Sequence, residues 1–199
     1  TTLLVSLSAI LSIIVFYEGW QYNYYENHLI FEWISSGNFK ANWSINFDPL
    51  TSVMFVTVTS ISALVHVYSI GYMKQDPHKP RFMSYLSLFT FSMLVLVSSD
   101  NFLQLFFGWE GVGLCSYLLI GFWFKRNSAN NAAIKAFIVN RVGDFGLALG
   151  IFLIFFHLGT INFTEVFELI PNVSKKEIIF LGLELNLVTL ICVSLFVGS

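Results

Sequence analysis

Residues 102–124 read FLQLFFGWEGVGLCSYLLIGFWF, an apolar run whose only charged side chain, Glu110, lies near its middle. A helix needs about 20 apolar residues to cross the hydrocarbon core of a bilayer, so a run of this length predicts a membrane-spanning helix. Residues 48–73, 82–97 and 132–156 are further apolar segments between charged breaks. The chain is therefore predicted to cross a membrane several times.

The overall composition indicates the same class of protein. Hydrophobic residues make up 56% of the 199 residues, charged residues only 11%, and the mean hydropathy is +0.72. Soluble domains carry about 25% charged residues. The net charge of −2 gives no sign of a nucleic-acid partner. Cys115 and Cys192 lie in apolar runs without CxxC spacing, so we expect two buried apolar side chains and neither a disulfide nor a metal site.

The charged and polar breaks divide the chain into about six predicted transmembrane helices. The expected fold is therefore an all-α polytopic membrane protein. Residues 21–46 are polar and aromatic, with a turn signal at 35–38 and alternating apolar residues at 39–45, and they predict a small surface hairpin between the first two helices. The predicted parts are a transmembrane helix at 1–20, this outer-face hairpin at 21–46, core helices at 47–156, an interfacial loop and helix at 157–177, and the start of a further transmembrane helix at 178–199.

Basic residues predict the orientation of the helices. With alternating crossings, the basic residues of the loops at 74–81 and 125–126 fall on one side. By the positive-inside rule this side faces the cytoplasm or the mitochondrial matrix, and the hairpin faces outside.

Glu110 is the leading candidate for a functional residue. A carboxylate at the centre of a membrane helix costs at least about 2.5–3.5 kcal/mol, so it must face the bundle interior, be protonated or have a cationic partner. Gly108, Gly111 and Gly113 flank it and allow another helix or a water chain to approach closely. A buried acid whose partner moves can load and release a proton. A purely structural ion pair is the alternative.

Three further ionisable residues lie inside apolar segments. Arg141 and Asp144 are three positions apart and share one helix face, so they form either a pair that makes the helix insertable or a switchable neighbour of Glu110. His66 lies in Leu-Val-His-Val; an imidazole can relay protons near neutral pH, but a lone buried histidine is more often only hydrogen-bonded.

The sequence also lacks the motifs of other energy-converting proteins. It has no GxGxxG or GxxxxGK[ST] motif, no paired cysteines and no histidine pair for haem. We therefore expect no cofactor in this chain, and we expect it to handle ions while other chains handle electrons.

Several motifs together resemble one family. The runs at 47–50, 64–69, 76–86, 100–122 and 139–150 are similar to those of chain 5 of respiratory NADH:ubiquinone oxidoreductase (complex I), in its mitochondrial form. The Gly-Trp-Glu-Gly-Val-Gly run at 108–113 is the most specific of these matches.

This resemblance implies an antiporter-like subunit of the membrane arm, with inverted helix repeats that form proton half-channels, in the mitochondrial inner membrane. It implies that Glu110 is the family's key acid, paired with a lysine on a broken helix. Asp144 matches a second acid of the same network, Arg141 matches a basic neighbour, and His66 matches a family position. The activity would be H⁺-translocating NADH:ubiquinone reductase, with FMN, iron–sulfur clusters and ubiquinone held by partner subunits.

The family pattern extends beyond both ends of this sequence. One more transmembrane helix is expected before Thr1, and the lysine partner of Glu110 is expected shortly after Ser199. The resemblance therefore predicts an N-terminal fragment in which residues 178–199 begin the broken helix. Expected partners are the other membrane-arm subunits, membrane lipids and, for a split subunit, a second chain that supplies the C-terminal half.

Two other functions remain open on the sequence alone. The related large subunits of multisubunit Na⁺/H⁺ antiporters carry the same motifs, and such a transporter would work without NADH. A structural role is the third interpretation, in which the chain holds the membrane arm together without conducting protons.

Overall fold

The computed structural model describes residues 1–22, 26–37, 39–180 and 182–198. In these residues the chain forms seven helices and two separate antiparallel hairpins. The helices are α1 (Thr2–Tyr22), α2 (Pro49–Tyr72), α3 (Lys79–Val97), α4 (Phe102–Ile120), α5 (Asn127–Leu158), α6 (Phe163–Val173) and α7 (Leu187–Gly198). The strands are β1 (Asn27–Ser36), β2 (Phe39–Asn46), β3 (Glu177–Phe180) and β4 (Leu183–Asn186). The predicted, predominantly helical membrane class is confirmed.

The described residues contain five of the about six predicted transmembrane helices. Within the described ranges, five helices, α1 to α5, are long and apolar enough to cross a membrane. The sixth apolar segment gives only the 12-residue helix α7. This helix runs to Gly198, the last described residue.

The sixth segment also begins differently from the prediction, which placed a helix from residue 178. Residues 177–180 and 183–186 instead form the β3–β4 hairpin, with Gly182 in the left-handed region at a φ of 82°. The Asn186 side chain then accepts hydrogen bonds from the backbone N–H groups of Val188 (3.0 Å) and Thr189 (3.3 Å), which starts α7. A short apolar run does not distinguish a strand from a helix by periodicity, and this explains the error.

The predicted hairpin between the first two helices is confirmed. Strands β1 and β2 pair antiparallel across a turn that contains Gly37 at a φ of 58°, while Asn38 of the predicted turn lies outside the described residues. The hairpin is anchored on α4 through Gln104, whose Oε1 accepts from the Ser44 N–H at 3.0 Å and whose Nε2 donates to the Ser44 carbonyl at 2.8 Å. Both side chains are buried. The hairpin therefore covers the first turns of α4.

The helices pack in chain order, α1 on α2, α2 on α3, α3 on α4, α4 on α5 and α5 on α7. The two basic loops meet at one end of this bundle, because Arg81 Nη2 donates to the Phe122 carbonyl at 3.1 Å and Trp123 Nε1 donates to Asp76 Oδ2 at 3.1 Å. Their predicted location on a common side is confirmed. The prediction of two buried cysteines is half right, since Cys115 is buried and Cys192 on α7 is exposed.

Candidate functional site

The candidate site lies where α4 packs against α5. These helices are joined by a short connection and are neighbours in the bundle, so the middle of α4 faces the middle of α5. Glu110 Oε1 lies 2.5 Å from Arg141 Nη1. The Glu110 side chain is 25% exposed and the Arg141 side chain 51% exposed, so the described helices cover the acid more completely than the base.

Asp144 completes a cluster of three charged groups, which we call the trio (Glu110, Arg141 and Asp144). Arg141 Nη1 lies 3.6 Å from Asp144 Oδ2, and Asp144 is buried, with its side chain 8% exposed. The predicted common face of Arg141 and Asp144 is therefore confirmed. The shorter ion pair of the arginine is nevertheless the one to Glu110, on the neighbouring helix.

The charge balance of the trio defines its chemistry. An arginine stays protonated in proteins, so the trio carries one excess negative charge when both carboxyl groups are ionised and is neutral when one of them holds a proton. Arg141 Cζ also lies 4.9 Å from the centre of the Phe137 ring, a cation–π contact that stabilises the charged guanidinium. The arrangement can bind and release one proton while the cation stays charged.

The glycines around Glu110 allow close helix contacts, as predicted, but they face two different helices. A Cβ atom on Gly108 would lie 2.6 Å from Leu96 Cα, and one on Gly111 would lie 2.7 Å from Ser92 Oγ, both on α3. A Cβ atom on Gly113 would lie 3.8 Å from Asn140 Nδ2 on α5. Two of the three glycines therefore serve the α3–α4 contact.

His66 lies outside the trio, in the contact between α2 and α3. Its side chain is fully buried; Nδ1 lies 2.8 Å from the Ser62 carbonyl oxygen and Nε2 lies 3.2 Å from Ser87 Oγ. Ser62 Oγ in turn lies 2.5 Å from Thr90 Oγ1. None of these contacts reaches the trio. The structure brings together three of the four predicted site residues. His66 lies apart from them, among hydroxyl groups at the contact between α2 and α3.

One residue of the site was missed by sequence reasoning. Trp109 Nε1 donates a hydrogen bond to Asp144 Oδ1 at 2.9 Å. The only available signal was its position directly before Glu110, and adjacent helical residues point in different directions. The register between α4 and α5 brings both residues to the same partner helix.

The described residues contain no group of three or more histidine, cysteine, aspartate or glutamate side chains arranged to hold a metal ion. The trio combines a cation with two anions, and a guanidinium is a poor neighbour for a bound metal cation. Its donor set fits a proton better than a metal.

Two protein-family models match the chain. Residues 33–83 match the N-terminus of NADH-ubiquinone oxidoreductase (complex I) chain 5, and residues 99–198, just over half of the chain, match the transmembrane domain NADH:quinone oxidoreductase/Mrp antiporter. The second match contains the whole trio.

Curated relatives that are named as subunits of NADH oxidoreductases align with 99–100% of the chain. It is 57% identical over 202 residues to NADH-ubiquinone oxidoreductase chain 5 of Triticum aestivum and 51% identical over 199 residues to that of Chondrus crispus. It is 51% identical over 197 residues to NADH-quinone oxidoreductase subunit L of Rickettsia bellii, with 99% of the chain aligned. The chain spans 30% of the first two relatives and 31% of the third.

Solved structures share the fold at low sequence identity. The Mrp complex from Dietzia sp. matches 98% of the chain and 20% of its own chain, with a TM-score of 0.72 and 21% identity. The archaeal membrane-bound sulfane sulfur reductase matches 99% of the chain and 37% of its own, with a TM-score of 0.76 and 14% identity. The sequence relatives and the family model establish more than this fold. The chain belongs to the NADH:quinone oxidoreductase/Mrp antiporter family, and its curated relatives are complex I chain 5 and subunit L.

Proposed function

We propose that this chain is part of a proton-translocating subunit in the membrane arm of NADH:ubiquinone oxidoreductase, where it carries part of a proton half-channel. Relatives at 51–57% identity bear the names of chain 5 of this enzyme, and the chain spans 30% of their length. The whole enzyme would oxidise NADH and reduce ubiquinone in other subunits, which hold FMN and the iron–sulfur clusters. This chain would contribute the movement of protons.

The observation that carries this proposal is the trio. Glu110 and Asp144 compete for one guanidinium, at 2.5 Å and 3.6 Å. When Glu110 accepts a proton, its attraction for Arg141 falls and Asp144 remains as the ionised partner. Arg141 then needs to move by less than an ångström to reach the roughly 2.8 Å of a charge-assisted hydrogen bond to Asp144. Release of the proton from Glu110 draws the arginine back.

The exposure of Arg141 supports access of protons to this pair. Its side chain is 51% uncovered by the described residues although it lies in a helix long enough to span a membrane. A charged side chain is not stable against lipid tails, so this face of α5 is expected to meet water or polar groups of the complete protein. A proton can then reach Glu110 from the side that Arg141 occupies.

His66 belongs to the same proposal as a separate proton relay. The Ser62 carbonyl can only accept, so Nδ1 carries a hydrogen in this geometry. In neutral histidine, Nε2 then accepts from the Ser87 hydroxyl; in protonated histidine it donates to Ser87, which can donate onward to the Met83 carbonyl at 2.9 Å. His66 can take up a proton without losing a hydrogen bond.

The proposed setting is the mitochondrial inner membrane, with other membrane-arm subunits and lipids as partners. The chain is a multi-pass membrane protein, and the eukaryotic relatives are chain 5 proteins of plants, algae and an oomycete. The finer assignment to the mitochondrion rests on those names.

The decisive experiment replaces Glu110 by glutamine in the intact complex and measures protons moved per NADH oxidised in proteoliposomes. Glutamine keeps the size and removes the titration, so we expect the complex to assemble and the proton stoichiometry to fall. Glu168→Gln, at an exposed acid on α6, is the matched control and should leave the stoichiometry unchanged. An assembled Glu110→Gln complex with wild-type stoichiometry would contradict the proposal.

Measurements on the same proteoliposomes distinguish the proposed function from the two other candidate functions. The family description names Mrp antiporters as well, and a sodium gradient that moves protons without NADH would favour antiport. Full pumping in both Glu110→Gln and Asp144→Asn would favour a structural role for the chain.

A further inference from the structure

We infer that Trp109 is a positioning residue of the trio, which holds the Asp144 carboxyl group in place beside Arg141 through its indole N–H. This inference rests on the proposed function.

The first observation is that the two oxygens of Asp144 have different partners. Oδ1 accepts from Trp109 Nε1 at 2.9 Å, while Oδ2 lies 3.6 Å from Arg141 Nη1. With its side chain 8% exposed, Asp144 is the more buried of the two acids. A buried carboxylate is stable only when its oxygens are hydrogen-bonded or paired, so the indole compensates for the loose contact to the arginine.

The second observation is the chemistry of the donor. An indole N–H donates one hydrogen bond, accepts none and does not ionise near neutral pH. It therefore favours the ionised carboxylate over the protonated one in every state of the trio. Arg141, in contrast, moves between the two acids in the proposed cycle. Trp109 is thus the constant partner of Asp144, and Arg141 is the variable one.

The third observation is that Trp109 is held by packing. It lies against the apolar cluster formed by Ala41, Leu147, Ile151 and Ile161, which belong to the outer hairpin, to α5 and to the α5–α6 connection. A large aromatic side chain in such a contact has little freedom to turn, so its N–H is fixed in direction before any charge moves. Successive residues of α4, Trp109 and Glu110, therefore present a fixed donor and an exchangeable acid to Asp144 and Arg141 of α5.

The consequence is an asymmetry between two acids that share one cation. The Trp109 N–H favours the anionic form of Asp144, and this form gives Arg141 a second partner when Glu110 is protonated. Without the N–H, Asp144 would take up a proton more readily, and the arginine would lose its alternative partner. Pumping would then fail at a pH where the wild-type complex still works.

The test uses Trp109→Phe in the intact, reconstituted complex, because phenylalanine keeps an aromatic ring and lacks the donor. Hydrogen bonds to charged groups are worth about 1.5–3 kcal/mol, and 1.36 kcal/mol corresponds to one pH unit. We therefore expect the acidic limb of the pH profile of proton pumping to move up by about one to two pH units. Trp123→Phe removes the same kind of indole–carboxylate bond, to Asp76 outside the spans, and should leave the profile unchanged.

A double-mutant cycle distinguishes positioning from packing. In an Asp144→Asn background, in which the residual pumping is read at one fixed pH, Trp109→Phe should cause no further loss, since the group through which it acts no longer titrates. An unshifted profile in the single variant, or a further loss of pumping in the Asp144→Asn background, would overturn the inference. If Trp109→Phe does not assemble, Trp109→His decides, since it retains a ring N–H: wild-type pumping in the assembled complex supports the inference, and lost pumping overturns it.

The two proposals fail in different ways. Wild-type stoichiometry in Glu110→Gln removes the proposed function and with it this inference. Lost pumping in Glu110→Gln together with an unshifted Trp109→Phe profile removes only the inference about Trp109.

Discussion

The α4–α5 contact and the α2–α3 contact both contain polar side chains, but they use different chemistry. In the first, Arg141 lies 2.5 Å from Glu110 and 3.6 Å from Asp144. The second contains His66 and the hydroxyl groups of Ser62, Ser87 and Thr90, without a full charge required. Each hydroxyl of the second contact also bonds a backbone carbonyl or another side chain.

This difference shows two ways of keeping polar groups inside a membrane helix bundle. Hydroxyl groups satisfy themselves on the carbonyls of their own helix and cost little. Charged groups depend on oppositely charged side chains, here one on the same helix and one on the neighbouring helix. The charged contact is therefore expected to be sensitive to every change of partner, and the hydroxyl contact is expected to tolerate change.

The largest effect is expected from Arg141→Met, which removes the shared cation from the trio. Arg141 is half exposed, so the loss of its ion pairs costs less than the about 3–5 kcal/mol of a buried pair, and we expect proton translocation to fall roughly fivefold. Protons moved per NADH oxidised in proteoliposomes provide the measurement. Arg126→Met, at a cation that lies over the Trp123 ring outside the spans, is the control. Pumping at the wild-type level in Arg141→Met would remove the distinction between the two contacts.

A smaller effect is expected from His66→Gln in the hydroxyl contact. Glutamine can still bond Ser62 and Ser87 but cannot take up a proton, so loss of stability should stay near the roughly 1 kcal/mol of one hydrogen bond. If His66 relays protons, the pumping rate should decrease, but by less than in Arg141→Met. The exposed His78→Gln is the control. A loss of pumping as large as that of Arg141→Met would place both contacts on one proton path.

The smallest effect concerns Asp76, a partly exposed aspartate outside the spans that, like Asp144, accepts a hydrogen bond from an indole N–H. Hydrogen bonds from the His78 backbone N–H and the Trp123 indole hold the pKa of Asp76 below its ordinary value. A lowered pKa stabilises the loop above the ordinary aspartate pKa of about 3.9, and this contribution is lost as the pH falls through the lowered value.

We therefore expect a small change in Trp123 fluorescence only at pH values below about 3.9. The signal is the difference between the wild-type protein and Trp123→Phe, which isolates this tryptophan. Asp76→Asn should abolish the pH dependence because it has no titrating group. A change that persists in Asp76→Asn, or that occurs near neutral pH, would contradict the assignment.

The candidate site was only partly predictable. The spacing of Arg141 and Asp144 identified a common helix face, because a helix repeats its directions every three to four residues. The closer partner of Arg141, Glu110, lies on another helix, and no local pattern gives the register between two helices. Trp109 was missed for the same reason: its hydrogen bond to Asp144 depends on that register.

The fold was also only partly predictable from the sequence. Hydropathy and length located the helices α2 to α5, since lipid requires long apolar runs whose backbone is hydrogen-bonded internally. The prediction that a helix begins at residue 178 was wrong, because the apolar residues there suit a strand as well as a helix. Gly182 in the left-handed region allows the chain to turn back on itself there.

The sequence by itself determined that this is a helical membrane protein, that one acid lies in the middle of a span, and which family it resembles. Composition and periodicity are sufficient for these conclusions, because burial in lipid acts on each segment separately. The tertiary structure alone decided that Arg141 stands between Glu110 and Asp144 and that Trp109 holds Asp144. Those contacts depend on how α4 and α5 pack, and close-packed side chains set the register between the two helices.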